Sequence, residues 1–205
     1  AVGYDRSRAT GSHIRTFSTP APARSGMEIQ DVLPRDAIPS VDDPTYEPAS
    51  EYAGDPEDEV VVVDSVASPT RRADGTASGG SVDGDPARAF PIRYLHYHEI
   101  CNAVVDDEPV AVTWCPLCGS AVVYDRTVET DDGERTLEFG VSGKLADDDL
   151  VMYDRETESE FKQSLGVAIG GPLEGTELAV LPAAMTTVAA FVDANPEGEV
   201  LAAPG

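Results

Sequence analysis

The sequence predicts an α+β protein that is predominantly β, built as a curved antiparallel sheet or partly closed barrel with a few short helices. Three observations carry this. The confident apolar segments are short and β-branched, as in Val60-Val-Val-Val63 and Val110-Ala-Val-Thr-Trp114, and they end at charges or turn residues. Gly 18 and Pro 16 interrupt the chain often enough to favour turns over long helices. Helical spacing of apolar residues is confined to short windows, the clearest at Val188, Phe191 and Val192. At 205 residues the chain suffices for a single β-rich domain, expected over residues 31–205, with residues 1–30 as a flexible N-terminal arm.

Taken in order, residues 1–45 are rich in Ser, Thr, Pro, Ala and Arg and read as extended chain, with one or two helical turns at 27–33. The proline-punctuated segment 35–46 is expected to cross the domain surface, anchored by Ile38 and Tyr46. Residues 59–64 form the first strand. Residues 67–87 carry almost no apolar side chains and read as a loop insertion between two strands. A short strand resumes at 88–93, where Pro91 suggests an edge or a bulge. Residues 94–102 read as helical turns. Asp106-Asp-Glu-Pro109 then turns into the least polar stretch, 110–126. Asp132-Gly133 marks a hairpin tip, 136–141 and 150–153 alternate as strands, and 177–181 is expected to be the last strand. A helix over 185–195 is stopped by Asn195-Pro196.

The charge excludes several partners. Acidic residues number 38 against 14 basic ones, a net charge of −24, and only Lys144 and Lys162 are lysines. Such self-repulsion is tolerable where salt screens it, so the surface reads as that of a halophile. Nucleic-acid phosphates and anionic membranes are poor partners for it. No apolar run approaches the roughly 20 residues of a membrane span.

Chemistry concentrates in Trp114-Cys-Pro-Leu-Cys-Gly119, where Cys115 and Cys118 put two sulfurs on one tight turn. Two thiolates supply half of a tetrahedral ion's ligands. His98 is the expected third, and Cys101, read as one helical turn beyond it, shares its face. Met152 is a soft thioether that would favour copper over zinc if it reached the loop. The competing reading is a thiol–disulfide pair with Cys115 as nucleophile and Cys118 as resolving thiol. Gly119 leads into a strand, however, not into the helix whose N-terminus would activate a thiol. A third reading leaves both cysteines as inert, buried residues of a non-catalytic interaction domain. His13 and His96 are assigned no role. Two echoing segments, Val122-Val-Tyr-Asp-Arg126 and Val151-Met-Tyr-Asp-Arg155, read either as turn-forming structure or as Asp125, Arg126, Tyr153, Asp154 and Arg155 lining one pocket with Gln163. Asp147-Asp148-Asp149 reads as a solvated acidic loop sooner than as a calcium site. No phosphate-binding loop is present, so no nucleotide cofactor is expected.

Several blocks recur here in a recognisable order. They are Arg35-Asp-Ala-Ile-Pro39 with Asp43-Pro44, Ala87-Arg-Ala-Phe-Pro91, His98-Glu-Ile100 with Asn102, and Val112-Thr-Trp-Cys-Pro-Leu-Cys-Gly-Ser120. Asp125-Arg126, Phe139 with Ser142-Gly-Lys-Leu145, Leu150-Val-Met-Tyr-Asp-Arg-Glu-Thr157 with Ser159 and Gln163, and Gly171-Pro-Leu-Glu-Gly175 follow. Over residues 30–201 this resembles the family called domain of unknown function 3179, here with a haloarchaeal type of surface. The resemblance implies no particular activity. It implies an extracytoplasmic address and a C-terminal continuation in relatives, and it marks Cys101 as standing where relatives carry an aliphatic residue. The expectation is a small protein binding one copper or zinc ion through Cys115, Cys118 and His98.

Overall fold

The structure is a computed structural model that describes residues 26–63, 86–130 and 132–204. His13, most of the arm expected over 1–30 and most of the insertion expected over 67–87 lie outside the described residues. In chain order the first part gives β1 (Ile29–Asp31), β2 (Tyr46–Pro48), β3 (Glu59–Val63), β4 (Arg88–Pro91) and helix α1 (Ile92–His98). The middle gives β5 (Ile100–Val105), β6 (Glu108–Cys115), β7 (Ser120–Asp125), β8 (Thr127–Thr130) and β9 (Gly133–Thr136). The last part gives β10 (Phe139–Ala146), β11 (Asp149–Asp154), β12 (Glu160–Lys162), β13 (Val167–Gly170), β14 (Ala184–Thr187), helix α2 (Val188–Ala194) and β15 (Glu199–Leu201).

The chain is β-rich as expected, but its strands form four sheets with no barrel among the described residues. The orders are β1-β10-β11-β12-β13, β14-β3-β4-β15-β2, β5-β6-β7 and β8-β9. One pair, β4 with β15, is parallel, with Glu199 opposite Arg88. The barrel expectation fails because alternation along a strand specifies its faces and not its partners. Both five-stranded sheets stay open, with β1 and β13 as the edges of one and β14 and β2 as the edges of the other.

Local chemistry explains the tightest connections. The β5–β6 and β10–β11 hairpins each close over two residues, Asp106-Asp107 and Asp147-Asp148, all four at φ of 50° to 61°. This is the type I′ geometry usually given to Asn-Gly, and aspartate is among the few side chains that enter the left-handed region readily. Two expectations change here. Residues 29–31 are a strand, not a helical turn, because Ile29, Gln30 and Asp31 pair with Ala146, Leu145 and Lys144. Residues 177–181 make only isolated bridges, at Glu177 and Val180.

The centre of the molecule is β6, whose alternation divides the core. Val110, Val112 and Trp114 enter one apolar cluster with Phe90, Leu95 and Cys101. Ala111 and Cys115 enter another, with Tyr124, Phe139, Met152 and Phe161. Successive side chains on a strand point to opposite faces. The sheet therefore carries Cys101 on one side and Cys115 on the other.

Candidate metal centre

The cysteine loop is a short connection between two paired strands. Cys115 ends β6 opposite Ser120, the first residue of β7. The loop closes when the Gly119 N–H donates to the Cys115 carbonyl at 2.9 Å, with Gly119 at φ +60°. That left-handed conformation favours glycine, which has no Cβ to clash. The same turn aims the Cys118 N–H at the Cys115 sulfur, at 3.3 Å. The two sulfurs stand 2.8 Å apart as free thiols, Cys115 buried at 1% exposure and Cys118 open to solvent.

The β10–β11 hairpin supplies a third group. Asp149 follows the two-residue turn directly and is buried. Its Oδ1 lies 3.5 Å from the Cys118 sulfur, and its Oδ2 accepts the Ser164 N–H at 2.9 Å. The ligand atoms of Cys115, Cys118 and Asp149 all lie within 4.8 Å of one another. The Cys118 thiol is pushed up to about 12 by desolvation on its inner side, then by Cys115 and by the Asp149 carboxylate. These influences all have one sign. Two thiols and a carboxylate are thus gathered at one loop, a donor set that suits a cation.

Two sulfurs and one carboxylate oxygen make a three-ligand set with the solvent side of Cys118 open. Zinc accepts thiolate and carboxylate in one tetrahedral shell, whereas copper(I) selects soft ligands throughout.

The expected imidazole is not part of this cluster. His98 ends α1, and its Nδ1 lies 2.8 Å from the Pro39 carbonyl oxygen, beside a separate cavity of about 330 Å³ that it lines with Asp42 and Leu201. Cys101 does not follow it on one helical face. The helix stops at His98, Glu99 takes φ +59°, and Cys101 is already in β5, paired with Val112. Burial pushes its thiol up to about 12, as suits an inert core residue. Met152 is fully buried in the cluster that contains Cys115, and it carries no assigned ligand role. For the redox reading, Cys118 carries the solvent-open sulfur and Cys115 the buried one.

The Tyr-Asp-Arg echoes serve structure at two separate places. Asp125 accepts the Thr127 N–H at 2.7 Å, and Asp154 accepts the Thr157 N–H at 2.7 Å and the Thr157 hydroxyl at 2.6 Å. Each aspartate thereby shapes the turn that follows it. Arg126 is buried and donates to the carbonyls of Val110, Leu137 and Ala103 at 3.1, 2.7 and 3.2 Å. Arg155 instead meets Asp36, Asp42 and Glu138 at 3.3 to 3.6 Å, beside Tyr153, whose hydroxyl donates to Asp36 at 2.6 Å. Gln163 comes close to the loop without joining it. Its Nε2 donates to the Thr113 hydroxyl at 3.0 Å, and its main-chain carbonyl accepts the Tyr124 hydroxyl at 2.6 Å, bracing the β6–β7 hairpin.

Asp149, expected with Asp147 and Asp148 in a solvated acidic loop, is instead the buried first residue of β11. The available signal was spacing, since Asp106-Asp107 and Asp147-Asp148 each precede a strand by a two-residue turn. That spacing makes Asp149 the first residue of a strand and not a member of a solvated loop.

A protein-family model described as protein of unknown function (DUF3179) matches residues 78–205. No curated protein and no solved structure matches the chain.

Proposed function

The chain belongs to the DUF3179 family of proteins of unknown function, and from that premise we propose that it is a small metal-binding protein holding one ion on Cys115, Cys118 and Asp149. One observation carries this: three ligand-type atoms from two separate hairpins lie within 4.8 Å of one another. Zinc suits the set better than copper, because a carboxylate oxygen is a poor partner for copper(I). Asp149 takes the place first given to His98. The Cys118 N–H directed at the Cys115 sulfur supports the same reading, since a donor there stabilises a thiolate.

The test is metal analysis of protein purified without chelator. About one zinc per chain is expected, lost in Cys115→Ser and in Cys118→Ser, with affinity lowered about 10- to 100-fold in Asp149→Asn. Wild-type protein that takes up no zinc or copper after reduction would overturn it. A second reading, thiol–disulfide exchange, is favoured by the 2.8 Å separation of two free thiols. It predicts a mixed disulfide trapped on Cys118, the open thiol, in Cys115→Ser. A pair that stays inert to glutathione disulfide would exclude it.

A further inference from the structure

Beside the cysteine loop, on the Cys115 side, lies a cavity of about 140 Å³. Its walls are apolar, with Ile38, Val141, Leu145 and Leu150 among them, and Cys115 and Glu99 complete it. The volume is about that of the cavity known to hold one benzene molecule. Two charged residues line it. Lys144 is already satisfied, its Nζ 2.6 Å from Glu160 Oε1. Glu99 differs: among the described residues its carboxyl has no hydrogen-bond or ion-pair partner.

Glu99 is also an expensive residue for its position. It caps α1 at φ +59° and ψ −30°, a conformation in which glycine or asparagine would cost less. Removal from water pushes its carboxyl up to about 7. Half-buried carboxylates of this kind are normally paired, because an uncompensated charge away from water is costly.

We propose that this cavity is a binding site for a small organic ammonium ion, an alkyl body in the apolar pocket with its charged head on the Glu99 carboxylate. The charge on the wall selects the head group, and the volume limits the body to a handful of carbons. A chain of net charge −24 adds a long-range bias towards cations and against anions. The rim is apolar too, with Val32, Leu33 and Leu117 well exposed around the opening. The cavity shares Cys115 with the proposed metal set, while Cys118 and Asp149 lie outside its lining and the Glu99 head-group contact uses none of the three.

The test is a methyl NMR titration with n-butylammonium and, separately, 1-butanol, on wild-type protein and Glu99→Gln in one alkaline, high-salt buffer. Saturable shifts of the Val141, Leu145 and Leu150 methyls are expected in wild type, with the ammonium bound at least about tenfold more tightly than the alcohol. In Glu99→Gln the ammonium should fall to the affinity of the alcohol. Absence of saturable shifts in wild type overturns the proposal, as does equal affinity for the two probes. A natively folded Glu99→Gln that binds the ammonium undiminished overturns it as well. Should the variant fail to fold, the comparison of the two probes on wild type decides alone. Zinc content measured on the same samples separates this outcome from the metal reading.

Discussion

Replacing Glu99 by glutamine should make the protein more stable, by a margin that grows as pH rises from 4.5 to about 7 and stays constant above that. The Glu99 carboxyl rises from 4.5 to about 7 on folding because half-burial removes it from water. Its sign is opposite to that of a salt-bridged carboxylate. The folded chain holds this proton more tightly than the unfolded chain, so stability falls as pH climbs from 4.5 to about 7 and the loss is complete above that. At about 1.4 kcal/mol for each tenfold change in proton affinity, the loss comes to about 2 to 3 kcal/mol, allowing for the solvent that still reaches the group. Glutamine mimics the protonated acid in shape and never ionises. Urea unfolding followed by the fluorescence of Trp114, the single tryptophan, should therefore show near-equal stabilities at about pH 4. At about pH 8.5 glutamine should lead by about 2 to 3 kcal/mol. Both proteins carry nearly the same background of negative charge, so general repulsion cancels in the difference. A gap of the same size at both pH values would refute the reasoning.

Three further outcomes are expected. Arg126→Met removes the donor shared by three buried carbonyls, those of Ala103, Val110 and Leu137, and should cost about 3 to 5 kcal/mol in urea unfolding; a loss under about 1 kcal/mol would show that water replaces the guanidinium. Gly143→Ala places a Cβ against the Leu33 carbonyl oxygen at φ +76°, so a fall of several degrees in melting temperature is expected, with altered exchange of the amides of Val32 and Leu33, which both donate to the Gly143 carbonyl. The melting temperature of the wild type should climb steadily from roughly 0.1 M to 2 M potassium chloride, since a net charge of −24 repels itself until salt screens it; a flat profile would argue against salt adaptation.

Much of the local architecture was legible in the chain. The β-branched run at 60–63, the hairpin around the two cysteines and the turn after each Tyr-Asp pair follow from propensity and turn chemistry that act within a few residues. What was not legible depends on distant partners. Residues 29–31 look helical in isolation and become a strand because the edge of β10 offers them hydrogen bonds. The helix of 92–98 ends without a glycine or asparagine, at a glutamate forced into a left-handed conformation, so nothing in the sequence separates His98 from Cys101. The site was half legible for the same reason. Two of the three groups clustered at the candidate site share one loop, while the third, Asp149, comes from a hairpin that meets the loop only in three dimensions.

The pairing of β15 between β4 and β2 bears on how the polypeptide comes off the ribosome. The sheet with β10 at its heart draws most of its strands from one stretch and can close as that stretch emerges. The other sheet cannot, because its inner position beside Ala89 stays vacant until Val200 has been made. Until β15 is made, the edges of β4 and β2 that it joins lack their partner, and an unpaired strand edge is a template for pairing with another chain.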